Sequence, residues 1–201
     1  MRFYTSDLHL GHANIIIYSN RPYTSAVSMD DDLMARWNKT VAPEDEVWIL
    51  GDLALGKLES GLERVARLNG KITLVPGNHD RVWRKHAAKA RSVKGLYKDA
   101  GIKIADDPQF TRIGEHHVEI SHFPFRKDRE GDKFYDWRPE NRGQWLLCGH
   151  VHDKWRQRGR QINVGVDAWG GFPIPEDVLS ELIAQGPADR DTLSWVQDTQ
   201  V

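Results

Sequence analysis

Cysteine is almost missing from this chain: Cys148 is the single one in 201 residues. That excludes an internal disulfide framework and fits a reducing compartment. Cys148 ends the apolar run Trp145-Leu146-Leu147-Cys148 and reads as a buried strand residue rather than a reactive thiol. Long hydrophobic runs are missing too, since no apolar stretch reaches the roughly 18 residues of a membrane span. The N-terminus, Met1 to Asp7, has no apolar segment of the secretion-signal kind. The expectation is a soluble, cytoplasmic protein with no membrane partner. Neither sign of charge dominates, with 28 Lys and Arg against 29 Asp and Glu. Composition therefore offers no bulk attraction to nucleic acid or membrane. There is no internal repeat, low-complexity tract or linker, and the length suits one domain spanning 1–201.

What is present is an alternation of strands and helices. Apolar runs predict strands over 2–6, 46–50 and 71–75. Between and after them lie predicted helices: 28–39, capped by Ser28; 58–68, stopped by Asn69-Gly70; and one capped by Asp80 and running to about residue 90. The pattern then turns strand-rich, with strands expected near 102–104, 110–113, 117–121, 145–148 and 161–164. A last helix is expected over 175–184. Residues 186–201 are polar and read as a loose tail, of which Leu193 and Trp195 are the candidates to dock. The sum is a layered α/β domain.

Five fragments place metal-binding side chains just after these strands: Asp7-Leu8-His9, Gly51-Asp52, Gly77-Asn78-His79-Asp80, Ser121-His122 and Gly149-His150-Val151-His152. Ligand sites of α/β sheets collect at the carboxyl ends of strands. An ordinary polar loop has no need of a histidine after several strands in turn. Six of the nine histidines lie in or beside these fragments. Together they supply ligands for two adjacent metal ions. Mixed imidazole and carboxylate donors suit Mn, Fe, Ni or Zn, with Mn favoured for activity, over the all-oxygen preferences of Mg and Ca. A closed structural zinc site is disfavoured by the shortage of cysteine.

The ordered pattern D-x-H, G-D, G-N-H-D, H, G-H-x-H resembles the calcineurin-like metallophosphoesterase family. The opening, Thr5 to His12 followed by Asn14-Ile15-Ile16, is similar to a small bacterial and phage branch of it, and Asn163 to Val166 resembles the family's late strand. The resemblance implies a four-layer sandwich of two mixed β-sheets flanked by helices. It implies one metal held by Asp7, His9, Asp52 and His152, and a second by Asp52, Asn78, His122 and His150, with Asp52 bridging. Two such ions can share a water that becomes hydroxide near neutral pH and attacks phosphorus. Asp52 and His79 are then the catalytic candidates, His79 to protonate or polarise the leaving oxygen. Asp80 reads first as a helix cap, with a second role in orienting His79.

The substrate is less constrained. Residues 123–142 interleave basic residues with Phe123, Phe125, Phe134, Tyr135 and Trp137. They read either as a base-stacking, phosphate-gripping surface or as a solvated excursion pinned by its aromatics. Arg126 and Arg138 are the substrate-binding candidates there. His12 reads equally as a phosphate contact or a surface residue, and Arg21-Pro22-Tyr23 is a weaker candidate for the pocket rim. His86, His116 and His117 read as structural or solvated. The expectation leans to a phosphodiesterase on small nucleotide-like, including cyclic, esters. Phosphomonoester hydrolysis of small phosphorylated substrates is the alternative. Long nucleic acid and a non-catalytic metal-binding scaffold are less favoured.

Overall fold

A computed structural model describes residues 1–106, 108–127 and 131–195. In it, β1 (Arg2–Thr5), β2 (Glu46–Ile49), β3 (Lys71–Leu74) and β4 (Lys103–Ile104) pair in parallel, Phe3 opposite Val47 and Val47 opposite Ile72. The short β10 (Ile174–Pro175) adds antiparallel to the free edge of β1. Pro175 lacks a donor and is tolerated there because β10 is an edge. The second sheet runs in the order β11 (Ala188–Arg190), β8 (Gln157–Gly159), β9 (Gln161–Asn163), β7 (Trp145–Cys148), β6 (His116–Ile120) and β5 (Gln109–Ile113). Its β9, β7 and β6 are parallel and its other pairings antiparallel.

Alternation along the strands divides the core. Phe3, Val47, Ile49, Ile72 and Leu74 face a cluster completed by helices α1 (Ala13–Tyr18), α2 (Ala26–Thr40), α3 (Leu58–Val65) and α4 (Ala87–Asp99). Tyr4, Leu50 and Val75 instead join Val118, Ile120, Trp145, Leu147 and Ile162 of the second sheet, together with Leu179, Leu182 and Ile183 of α5 (Glu176–Ala184). Leu146 and Cys148 point away from that layer and are covered by Phe125 and Trp155 from loops. Two mixed sheets with flanking helices are the fold that the resemblance implies. Cys148 is fully buried, and burial pushes its thiol pKa up, as expected of a strand residue.

Several local expectations are corrected. Ser25, not Ser28, caps α2; Ser28 is the third helical residue and completes the capping box, its Oγ accepting from the Ser25 amide. Asp80 caps nothing: a 3₁₀ turn at Arg84–His86 intervenes, and α4 starts at Ala87 and continues to Asp99. The helix α1 and strands β8 and β11 were not anticipated. Residues 188–190 form β11 on β8, the Leu193 amide donates to Ala168 O at 3.0 Å, and the Trp195 ring meets Tyr23 edge-on at 5.5 Å. The expected loose tail is therefore docked through residue 195, and 196–201 lie outside the described residues. Among the described residues, no helix is long and apolar enough to cross a membrane.

Candidate metal centre

The polar fragments converge beyond the carboxyl ends of β1, β2, β3, β6 and β7 on unusual backbone. Among the described residues, six non-glycines have positive φ, and five carry sequence-predicted ligands: Asp7 (57°), His9 (53°), Asp52 (56°), His150 (70°) and His152 (47°). Left-handed conformations are costly for such residues and persist only where the surroundings hold them. Here the loops hold one another. The Asp7 amide donates to Gly51 O at 3.0 Å, the His9 amide to Asp52 O at 3.0 Å, and the His150 amide to Asp7 Oδ2 at 2.9 Å. Glycine permits the close approach: a Cβ on Gly51 would lie 2.5 Å from His122 Nδ1 and 2.6 Å from Gly77 Cα. A Cβ on Gly149 would lie 2.5 Å from Asp7 Oδ2.

Asp80 binds the β2 and β3 loops together. Its buried carboxylate accepts from the amides of Gly77 (2.7 Å), Asp52 (2.8 Å) and Leu53 (3.1 Å). Burial raises its pKa, and those three donors oppose the rise. The His79 amide donates in turn to Asp52 Oδ1 at 2.8 Å, so Asp80 orients His79 by way of Asp52.

Two groups of side chains meet at Asp52. On one side His9 Nε2 lies 3.5 Å from Asp52 Oδ2 and 4.0 Å from Asp7 Oδ1, while His152 Nε2 lies 3.9 Å from Asp7 Oδ1. On the other side His122 Nε2 lies 3.6 Å from Asp52 Oδ2 and 3.1 Å from Asn78 Oδ1. The His150 ring stands against that of His122 at 5.2 Å. The structure thus brings together all seven side chains expected as ligands. His79 lies beside them, half exposed, its Nε2 4.0 Å from Asp52 Oδ2.

This chemistry fits cations. The ligand atoms of Asp7, His9 and His152 lie within 4.8 Å of one another, as do those of Asp7, Asp52 and His122. Asp7 Oδ1 and both ring nitrogens of His9 are buried without a hydrogen-bond partner among the described residues. Unmatched buried polar atoms are rare and costly, and a divalent ion would satisfy Asp7 Oδ1 and one of the two His9 ring nitrogens. Burial, reinforced by Asp7 and Asp80, pushes the Asp52 pKa well above the carboxylate range; a nearby cation reverses that. Burial and the surrounding cationic groups hold His9 well below, and His79 below, the ordinary imidazole range. Burial, with His122 next, takes His150 down to about 2. Neutral imidazoles are what metal binding requires. His122 Nδ1 sits 2.8 Å from Leu50 O, so as donor there it leaves Nε2 free to face Asp52.

Behind the first group lies a buried polar frame. His152 Nδ1 lies 2.9 Å from Asp167 Oδ2, and Arg21 grips Asp167 through Nε (2.7 Å) and a terminal nitrogen (2.9 Å). Arg21 also donates to the carbonyls of Asp7 (2.6 Å) and Leu8 (2.9 Å). Burial opposes the Asp167 charge, but Arg21 and His152 outweigh it and lower the pKa. Arg21 was expected at the pocket rim; it is buried because it serves the backbone that carries Asp7. Asp167 escaped sequence reading. It sits in a short 3₁₀ turn, Val166–Ala168, whose only sequence signal is its place after the late strand.

A cleft of about 430 Å³ opens onto His9, His79, His150 and His152. Its walls include His12, Tyr18 and Arg138; the His12 ring is 5.5 Å from that of His9, and Tyr18 is 70% exposed. Arg138 is already bound to Asp132 Oδ2 at 2.5 Å. Arg126 lies in an adjoining groove, its guanidinium 5.2 Å over Tyr135. Phe123 and Phe134 are buried against Trp83 and the His150 ring, and Phe125 against β7. The aromatics of this segment therefore pin it to the core, the second of its two readings. His86, His116 and His117 are exposed.

The sequence profile of the calcineurin-like phosphoesterases matches residues 3–154, from β1 through the last of the converging histidines. The chain belongs to that family. Metallophosphoesterases characteristically use two divalent metals, and among the described residues Asp7, His9 and His152, and Asp7, Asp52 and His122, are the groups that could hold them. Relatives extend along nearly the whole chain. The gene 66 protein of Mycobacterium phage D29 is 32% identical, with 90% of this chain and 94% of that protein covered. The uncharacterized protein MJ1445 of Methanocaldococcus jannaschii is 28% identical, with 92% of each covered. The crystal structure of AQ665, a protein of unknown function from Aquifex aeolicus, superposes with a TM-score of 0.65 at 24% identity. It covers 90% of this chain and 98% of that one, which establishes a shared fold.

Proposed function

We propose that this metallophosphoesterase hydrolyses phosphodiesters of nucleotide-like character. Its metal-binding residues are read as Asp7, His9, Asp52 and His152 for one ion and Asp52, Asn78, His122 and His150 for the other, with Mn²⁺ the favoured ion. The carrying observation is Asp52, whose Oδ2 lies 3.5 Å from His9 Nε2 and 3.6 Å from His122 Nε2, between the two ligand groups. Two divalent ions, when bound, acidify water to a nucleophile and neutralise charge on phosphate. The chain's own residues do the rest. Asp52 keeps the two groups in fixed relation, and Asp80 fixes Asp52 through its backbone. His79, neutral and open to the cleft, donates a hydrogen bond to the oxygen that leaves phosphorus. His12 and Arg138 flank the ester.

The diester preference rests on charge. His12, His79 and His150 are held neutral and Arg138 is already matched by Asp132, while His152, whose pKa Asp7 and Asp167 raise against burial, is already faced by those two carboxylates. Few unmatched cations remain to receive the second negative charge of a monoester. Tyr18, exposed at the rim, offers a face for a base. That support replaces Phe123, Phe125 and Phe134 of the aromatic segment, whose rings are buried.

Hydrolysis of a nitrophenyl phosphodiester and of the matching monoester, each with Mn²⁺ and after chelation, tests the reading. Metal-dependent cleavage favouring the diester is expected. His79→Ala should lower kcat by about 10²-fold while retaining both ions. Faster monoester turnover would make the protein a phosphatase, and undiminished kcat in His79→Ala would remove the assigned role.

A further inference from the structure

We propose that α4 and the turn before it form a docking surface for a polynucleotide strand, delivering its phosphodiester backbone to the centre. The inference deepens the reading of that centre as a phosphodiesterase and rests on it. Between Arg81 and Lys98 the chain has seven lysines and arginines and no Asp or Glu. Outside that segment 21 lysines and arginines face 29 acids, so overall neutrality conceals a local concentration of positive charge.

The helix that carries this charge is poorly explained by the fold. Of the thirteen residues of α4, Tyr97 alone is buried, and the turn Arg84–His86 buries none. Arg91, Lys94 and Lys98 stand at spacings of three and four, where like charges on a helix repel. None of the seven cations lies within ion-pair distance of a carboxylate among the described residues. An anionic partner would remove that repulsion.

Position names the partner. A groove of about 430 Å³ runs from Asn78 and His79 along the helix, past Arg81, His86, Lys89 and Ser92. The acid in its lining is Asp80, whose buried carboxylate is occupied by the amides of Gly77, Asp52 and Leu53. The accessible charge of the groove is therefore positive. It begins at the residue assigned to the leaving group, and α4 extends it for about 20 Å. A repeating phosphate chain matches such a track, with one linkage at His79 and the next phosphates at Arg81 and Lys89. On cleavage, water adds to phosphorus and one ester P–O bond breaks. The departing oxygen takes up a proton, leaving one phosphate end and one hydroxyl end. On the other flank of α4, Asp106 stands among Arg84, Arg91 and Lys94, which makes that side the weaker track.

The test is fluorescence anisotropy of the full chain with a labelled 12-nucleotide single strand, with Mn²⁺ and again after chelation, so that a cut strand still reports. Wild type is expected to bind with strong salt dependence. Arg81→Ala/Lys89→Ala should bind about tenfold more weakly and lower the slope of log K against log salt by about 1.4, two contacts at about 0.7 each. Lys39→Ala/Lys71→Ala, which removes the same charge from exposed positions elsewhere, should bind as wild type does. The proposal is overturned if wild type does not bind the strand at 50 mM salt. It is equally overturned if both double variants bind alike, or if polyglutamate or anionic vesicles bind more tightly than the strand. Turnover of the small diester by a wild type that ignores the strand would overturn this inference alone; strand binding without any diester turnover would overturn the phosphodiesterase reading instead.

Discussion

Asp7, His9 and His152 rest on a buried frame of charge, in which Arg21 binds Asp167 and Asp167 meets His152. The rings of His122 and His150, across Asp52, are instead held by the Leu50 carbonyl, the Asn78 side chain and the packed rings of Phe123 and Phe134. A charged frame needs every member, because losing one strands another in a medium that cannot solvate it. A packed frame loses function by degrees, as volume is removed. The two halves of one centre should therefore fail in different ways.

The largest effect is expected where the halves meet. Asp52→Ala should release both ions and reduce hydrolysis on the order of 10³-fold or more, read by metal analysis and diester turnover. One retained ion would show that Asp52 serves a single half. Next comes Asp167→Ala, which leaves the Arg21 guanidinium buried and unmatched. A loss of about 3–5 kcal/mol is expected in urea unfolding, with affinity falling about 10–100-fold for one ion only. Equal weakening of both ions in a two-site titration would erase the contrast. On the packed side, Phe134→Leu should cost about 1 kcal/mol and mildly weaken the other ion.

A further contrast is in pH, and its sign differs between the halves. His150 is held near 2 in the folded protein, against an ordinary 6.5. Below pH 6.5 the unfolded chain takes up a proton that the folded chain refuses, so stability falls on acidification. For His152 burial opposes the charge, but Asp7 and Asp167 outweigh it and raise the pKa. Its contribution is full below 6.5 and is lost as pH rises through the raised value. In chelated protein, His150→Phe should flatten the decline in urea midpoint from pH 7 to pH 5, and His152→Phe should steepen it. Parallel curves would refute the distinction.

What could be read in advance followed local rules. Each converging fragment combines an apolar run with a polar residue where the run stops, and both signs lie within a few neighbouring residues. The supports depend on distant partners: Arg21 and Asp167 are 146 positions apart, and no periodicity links them. Asp80 looked like a cap because Asp often is one, but three amides from two loops claim its carboxylate. Phe123 and Phe134 were ambiguous for a similar reason, since the direction of a ring is set by what folds against it. Strands β8 and β11 are three residues each and pair with each other, too short to show a pattern. The basic helix was visible letter by letter and was lost in the average over the whole chain.

The left-handed backbone at five ligand-bearing residues bears on how ions arrive. Its cost, of order 1–3 kcal/mol per residue, is met when the chain folds and the loops lock over Gly51, Gly77 and Gly149. Little bending is left for an incoming cation to impose, so binding energy goes into holding the ion and not into shaping its seat. A centre built this way trades some stability of the empty protein for readiness, and its occupancy should follow the supply of metal in its surroundings.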